Sequence, residues 1–238
     1  MERRAFVAST LALLAAPLAV EAQQPGKVYR IGFLRGGQPP TVWVDGFQQG
    51  LRERGYVDGQ NVVIEFRFTD GRVDRLPRLA EDLLRSEVDV IVASAAPAAL
   101  AAKKATTSVP IVFVAVNDPV GLGLASSLGR SGGNITGLAT TSAALAGKRL
   151  ELLRGLVPKL RRVAVLWDPS NPTNPTQLKD AEEAARTLGL QTQPVPVRGP
   201  NDYDTTSKAM RGFDGLLRLD SPLFTTHRAR RARVTHAS

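Results

Sequence analysis

The sequence predicts a two-lobed α/β protein in which each lobe is a parallel sheet flanked by helices. Three observations lead there. Short apolar runs alternate with amphipathic stretches from residue 28 onward. Most of these runs are apolar on both faces, as strands buried under helices on two sides must be. The alternation then restarts near Ala143, giving two βα series joined through residues 139–145. A cleft between two lobes is a preferred place for a ligand.

The elements follow in order. Residues 28–34 form a compact apolar strand that meets Arg35-Gly36-Gly37. Residues 42–54 have helical spacing and stop at Gly55, where a helix end favours a positive φ. Residues 61–68 alternate Val62, Ile64, Phe66 and Phe68 with Val63, Glu65 and Arg67, a period of two. Residues 73–85 place Leu76, Leu79, Leu83 and Leu84 at helical spacing. Residues 88–93 are a third strand, 97–105 a short alanine-rich helix opened by Pro97, and 110–116 a fourth strand. Helix is expected over 119–128 and strand over 135–138. In the second series, helices are expected over 145–156, 172–188 and, more weakly, 203–210. Strands are expected over 162–167, 190–197 and 213–219. The corresponding division is a first lobe over 27–142 and a second over 143–227, followed by a basic irregular tail over 228–238.

The N-terminus reads as an export leader over residues 1–22. Glu2-Arg3-Arg4 precedes an apolar run to Val20, and Val20-Glu21-Ala22 offers a cleavage point before Gln23. The run is short for a span of about 20 strongly apolar residues, so the expected product is periplasmic and not inserted in the membrane. Arg3-Arg4 fits both general and twin-arginine export. The chain has no cysteine, so its core must hold without disulfides and no lipidated cysteine is available.

A formal charge of +9 raises the question of nucleic acid. Its distribution argues against it. Five arginines (Arg218, Arg228, Arg230, Arg231, Arg233) face one acid, Asp220, within residues 218–238, and no basic stripe interleaved with aromatics occurs. The two histidines, His227 and His236, both lie near the end. Cysteine nucleophiles, histidine triads and the usual zinc sets are therefore not expected, and neither catalytic residues nor a metal or cofactor is expected. Gly121-Leu122-Gly123-Leu124-Ala125-Ser126 imitates a dinucleotide fingerprint, but Ser126 stands where the third glycine belongs.

Ligands of open α/β sheets bind beyond the carboxyl ends of the strands. This rule nominates the loops at 35–41, 94–96, 117–118, 140–142, 168–174 and 220–221. Ser94-Ala95-Ala96 ahead of Pro97 fits either an anion-favouring helix N-terminus or a tight turn capped by Ser94. Asp118 before Pro119 fits an acceptor for a ligand ammonium or a helix cap. Asn171 and Asn174 fit cleft contacts or turn chemistry in a Pro/Asn-rich loop. With Asn117, Thr140, Ser142 and Asp220 these complete the candidate ligand-binding set. Trp43 and Trp167 have no assigned place in it.

A resemblance joins these features. Asp118-Pro119-Val120, Leu128, Gly132-Gly133-Asn134 and Thr136-Gly137 resemble periplasmic substrate-binding proteins of the tryptophan/tyrosine type of ABC uptake system. So do Gly46-Phe47, Gly50-Leu51, Gly55-Tyr56, Gly59-Gln60-Asn61, residues 148–153 and Val163-Ala164-Val165-Leu166-Trp167 leading to Asn171-Pro172. The similarity runs from about residue 28 to 227. It implies a type I periplasmic-binding-protein-like fold closing on a small, amino-acid-like or carboxylate-bearing solute. The implied partners are an ABC permease and its ATPase. Members of the family continue beyond the segment resembling 221–228, so the resemblance also implies a truncated, incomplete second lobe. A ligand-sensing module for a membrane receptor and a non-functional truncated copy are the alternatives to the uptake role.

Overall fold

Why the first strand lies inside its sheet, paired on both sides, follows from its burial. Strand β1 (Tyr29–Arg35) is buried from Ile31 to Arg35. It pairs in parallel with β2 (Val62–Phe68) on one side and β3 (Val90–Ser94) on the other, with Ile31 opposite both Ile64 and Val90. The computed structural model describes residues 27–38, 41–131, 133–141, 145–199, 201, 202, 206 and 211–226. Strands β4 (Ile111–Asn117) and β7 (Ile135–Thr140) complete a five-stranded parallel sheet in the order β2-β1-β3-β4-β7.

Helices cover both faces of this sheet. On one, Leu76, Ala80 and Leu83 of α2 (Leu76–Arg85) and Ala98, Ala99 and Ala102 of α3 (Ala96–Ala105) pack with Leu34, Ile91, Ile111, Phe113 and Ile135. On the other, Phe47 and Leu51 of α1 (Thr41–Arg52) meet Ile31, Phe33, Val62 and Val92. Phe33 sits 5.3 Å from Phe47 and 5.5 Å from Phe66, centroid to centroid. The helical pattern over 73–85 divides into a 3-10 turn (Val73–Arg75) and α2, because Pro77 belongs in a first helical turn and not inside one.

One element differs in kind from the expectation. The stretch 119–128 is not a helix. It makes a single turn, with Leu122 N–H donating to the Asp118 carbonyl at 3.1 Å, and then leaves it at Gly123, whose φ is +67°. Two glycines each weaken a helix by about 1 kcal/mol, and Gly123 adopts a conformation that other residues resist. The chain continues as a short antiparallel hairpin, β5 (Ala125–Ser127) and β6 (Arg130–Ser131). The fingerprint-like glycines thus lie in a turn.

The second sheet has three parallel strands among the described residues, in the order β10-β8-β9: β8 (Arg162–Trp167), β9 (Gln191–Pro196) and β10 (Gly215–Arg218). Helices α4 (Ala146–Leu156) and α5 (Asn174–Thr187) bury Ala146, Leu150, Ala181 and Ala185 against one face. The short α6 (Pro222–Thr226) brings Leu223 and Phe224 to the other, against Ala164, Leu166, Val195 and Val197. Helix α5 starts two residues later than its pattern suggests, because Asn171 first closes a turn onto Thr173. Of the helix expected over 203–210, only Thr206 lies among the described residues.

Both sheets carry the same latch. Asp89, just before β3, accepts from Arg30 N–H at 2.8 Å while its own N–H donates to the Arg30 carbonyl at 2.8 Å. Asp214, just before β10, accepts from Arg161 and Arg162 N–H at 2.8 and 2.9 Å, and its N–H donates to the Arg162 carbonyl at 2.9 Å. Hydrogen bonds to the ionised form hold both carboxyls below the usual carboxylate range. For Asp89 the Lys27 side chain acts first and Arg30 N–H second; for Asp214 the Arg162 and Arg161 amides act in that order.

Candidate functional site

The carboxyl ends of both sheets open on one cavity of about 270 Å³. The first sheet contributes Arg35 from the end of β1, Ala95 and Ala96 beyond β3, Ala115 and Asn117 from β4, and Thr140 from the end of β7, with Trp43 from the first turn of α1. The second contributes Asn171 and Thr173 beyond β8, Arg218 from the end of β10, and Asp220, Ser221, Pro222 and Thr225 after it.

Arg35 dominates the first wall. It closes an apolar strand and is only 3% exposed. Its Nη1 donates to Ser94 Oγ at 2.7 Å and its Nη2 to Thr225 Oγ1 at 3.4 Å, the latter from the opposite wall. The Nε–H has no partner, and no carboxylate pairs with this guanidinium among the described residues. Desolvation pushes its pKa down to about 10, so the side chain stays charged at neutral pH. Its carbon Cζ lies 4.5 Å from the centre of the Trp43 ring, a cation–π contact on the cavity wall.

The backbone of this wall is unusual in two places. Ala95 precedes α3 with φ 70° and ψ 163°, a region nearly reserved for glycine. Its N–H donates to the Val114 carbonyl and its carbonyl accepts from Ala99 N–H. The first-turn amides of Ala96 and Ala98 have no carbonyl within the helix to bond. Ala115, with φ 56°, marks the register shift of β4 against β7 between Val114 and Val116. Beyond it Asn117 and Thr140 stand side by side, Thr140 Oγ1 donating to Asn117 Oδ1 at 2.8 Å.

The second wall is a buried polar network. Asn171 Nδ2 and Asn174 Nδ2 both donate to the Asp220 carbonyl at 2.9 Å. Asn174 Oδ1 accepts from Asp168 N–H at 2.8 Å, and Asp168 in turn accepts from Ser170 and from the Ser221 hydroxyl. The Asp220 carboxylate is flanked by Arg149 and Arg218, each at 3.8 Å.

Of the residues nominated from sequence, Ala95, Ala96, Asn117, Thr140, Asn171 and Asp220 line the cavity. Ser94 lies beneath it, holding Arg35. Asp118 turns away: it is exposed, and its Oδ1 accepts from Gly121 N–H at 2.8 Å to close the turn after β4. Asn174 is fully buried behind Asn171, spent on the Asp168 and Asp220 backbones. Ser142 falls outside the described residues. Arg35, Thr173 and Ser221 sit in the nominated loops, and Trp43, Ala115, Arg218, Pro222 and Thr225 do not. An arginine directly after the apolar run Ile31–Leu34 was the one sequence signal able to single out Arg35.

Residues 40–215 match the model of the ABC transporter substrate binding protein family. The chain belongs to that family. It is a family of solute-binding proteins and not of enzymes. A tyrosine-binding protein of Clostridioides difficile is 33% identical over 141 residues, which is 59% of this chain and 40% of that relative. The chain thus spans well under half the length of the curated relative it matches. Among solved structures, an ABC domain from Streptococcus pneumoniae in complex with L-Trp superposes with a TM-score of 0.77 at 25% identity, over 88% of this chain and 71% of that one. A conserved domain protein from Vibrio cholerae gives 0.80 at 22% identity, over 89% and 72%. A leucine binding protein from Thermotoga maritima shares the fold at 17% identity with a TM-score of 0.62, over 87% and 61%. The two-sheet architecture is that of type I periplasmic binding proteins, the second sheet being the smaller of the two among the described residues.

Proposed function

We propose that the chain captures a small carboxylate-bearing solute between its two walls and presents it to a membrane permease driven by an ATPase. The observation that carries this reading is the Arg35 guanidinium, a buried charge on the cavity wall with no carboxylate paired to it among the described residues. A buried charge without a counter-ion costs free energy, and a bound carboxylate removes that cost while gaining charge-assisted hydrogen bonds. The amides at the start of α3 add a second donor group on the same wall. Contacts from both walls to one solute favour the closed arrangement over an open one. The relatives support the solute class: one is named for tyrosine and another was solved with L-Trp.

The permease and ATPase are the partners that membership in the family implies, and export of the chain behind the leader at 1–22 is the matching location. No described helix is long and apolar enough to cross a membrane. The test is a thermal melt of the purified protein against pools of amino acids and small organic acids. A ligand at about 100 times its Kd adds about 2.7 kcal/mol, which for a protein of this size raises Tm by about 5–10 °C. A cooperative melt that no carboxylate pool moves would refute the reading.

A further inference from the structure

We propose that Gly36 and Pro222 form the seal of the solute cavity, the point at which the two lobes meet when it shuts. The inference rests on the reading of this cavity as a solute site and identifies residues that act on the solute without touching it. Gly36 follows Arg35 in the loop after β1 and is buried. A Cβ on it would lie 3.7 Å from Pro222 Cβ and 3.9 Å from Pro222 Cγ. Apart from its chain neighbours, no other described atom would come within 4 Å. What covers Gly36 is therefore the opposite lobe and not its own.

Each side of this contact is held firmly to its own lobe. On the first, the next residue, Gly37, donates its N–H to Thr69 Oγ1 at 2.8 Å, and its carbonyl accepts from Asp70 N–H at 3.2 Å. On the second, Leu223 and Phe224 of α6 are buried against the second sheet. Ser221 Oγ accepts from Leu223 N–H at 3.1 Å and donates to Asp168. Pro222 and Thr225, three residues apart on one face of α6, meet the first lobe instead, Pro222 at Gly36 and Thr225 at the Arg35 guanidinium. The two adjacent glycines serve different ends. Gly37 has φ +89°, which other residues resist, whereas Gly36 has no positive φ and its backbone suits any residue. Its missing side chain is what the contact uses. Pro222 already stands at van der Waals distance from the place of a Cβ, and the gap beside the pair, about 10 Å³, has room for no more than one water. Because Pro222 also lines the cavity, the contact shuts the cavity on this side and keeps water from it.

A disulfide tests the contact directly. The 3.7 Å separation fits a disulfide, whose Cβ atoms lie about 3.8 Å apart, and the chain has no cysteine to compete. In the full chain, Gly36→Cys with Pro222→Cys should oxidise to an intramolecular disulfide in nearly all molecules. Gly46→Cys with Pro222→Cys should not, because nothing stands within 4 Å of a Cβ at Gly46. Millimolar L-tyrosine or L-tryptophan should speed the first reaction several-fold by favouring the closed form. The oxidised protein should bind neither amino acid until dithiothreitol reopens it. Gly36→Cys alone keeps the test open if Pro222→Cys does not fold: its thiol should react with N-ethylmaleimide at least about 10-fold more slowly than that of Gly46→Cys, through the cover that Pro222 provides. Crosslinking no greater than in the Gly46 counterpart, equal thiol reactivity, or an oxidised protein that binds as the reduced one does would overturn the seal and leave solute capture standing. Crosslinking indifferent to both amino acids, with neither bound by the reduced protein, would uphold the contact and count against the solute reading itself.

Discussion

Asn174 offers a sharp test of how the second wall is held. It is fully buried, accepts from Asp168 N–H through Oδ1, and donates from Nδ2 to the Asp220 carbonyl. Asn174→Ala leaves the Asp168 amide buried without its acceptor and takes one of two donors from the Asp220 carbonyl. At about 1–3 kcal/mol for a stranded buried polar group, the expected loss is about 2–4 kcal/mol. For a chain of this size that lowers Tm by about 5–15 °C. The informative variant is Asn174→Asp. If Asn174 served only a turn or helix start, aspartate would replace it at little cost, since the two are nearly equivalent there. In this network Asp keeps the acceptor for Asp168 N–H but points an oxygen at the Asp220 carbonyl in place of a donor. Asn174→Asp should therefore be at least as unstable as Asn174→Ala at neutral pH. Protonation restores a donor, which raises the folded pKa of the new carboxyl, so the deficit should be largest above that pKa and narrow as pH falls. Urea unfolding at pH 7 and pH 4.5 reads both features. An Asn174→Asp protein as stable as the parent at pH 7 would refute the network as the reason for this residue.

Gly137→Ala should separate β7 from β4, because a Cβ there would overlap the Phe113 carbonyl and lie 2.6 Å from Phe113 Cγ. Overpacking of this kind costs about 1–3 kcal/mol, and displacing Thr140 should weaken solute binding as well; melts and titration check the two effects. Ala95→Gly should stabilise the protein in a chemical melt. It relieves about 1–3 kcal/mol of backbone strain at φ 70° and ψ 163°, against about 0.4–1 kcal/mol of added unfolded-chain entropy. The Asp89 and Asp214 carboxyls are depressed in the folded state, so their stabilisation is present above the ordinary carboxylate pKa of about 4 and is lost as pH falls through the folded values. A double Asp89→Asn, Asp214→Asn protein should accordingly show a flatter decline of Tm below about pH 4 than the parent.

The strands were legible because their signal is local. Residues 162–167 are apolar on both faces, and the observed β8 has the same bounds. The helix expected over 119–128 failed where local signals compete: its apolar residues suggested a helix, while Gly121 and Gly123 let the chain turn into a hairpin instead. The candidate site was legible as loops, since the carboxyl ends of parallel strands follow from chain direction alone. Which side chains face the cavity was not. Asn171 and Asn174 are three residues apart in the same motif, yet one reaches the cavity wall and the other is buried behind it. Arg218 fell inside the strand expected over 213–219, but that its strand end reaches the cavity depends on the pairing of β10 with β8, some fifty residues earlier.

The matching aspartate latches have a further meaning. In each lobe the opening strand is flanked by its second and third strands, β2-β1-β3 and β9-β8-β10, and in each the third is fastened to the first by an aspartate at the same place. The molecule is one design used twice. The shared arrangement specifies no ligand by itself, because both sheets offer strand ends of the same kind. The vocabulary lies in where the two differ: arginine and tryptophan at the lip of one, arginine and aspartate at the lip of the other. A handful of positions at the strand ends can then differ while the two frames stay as they are.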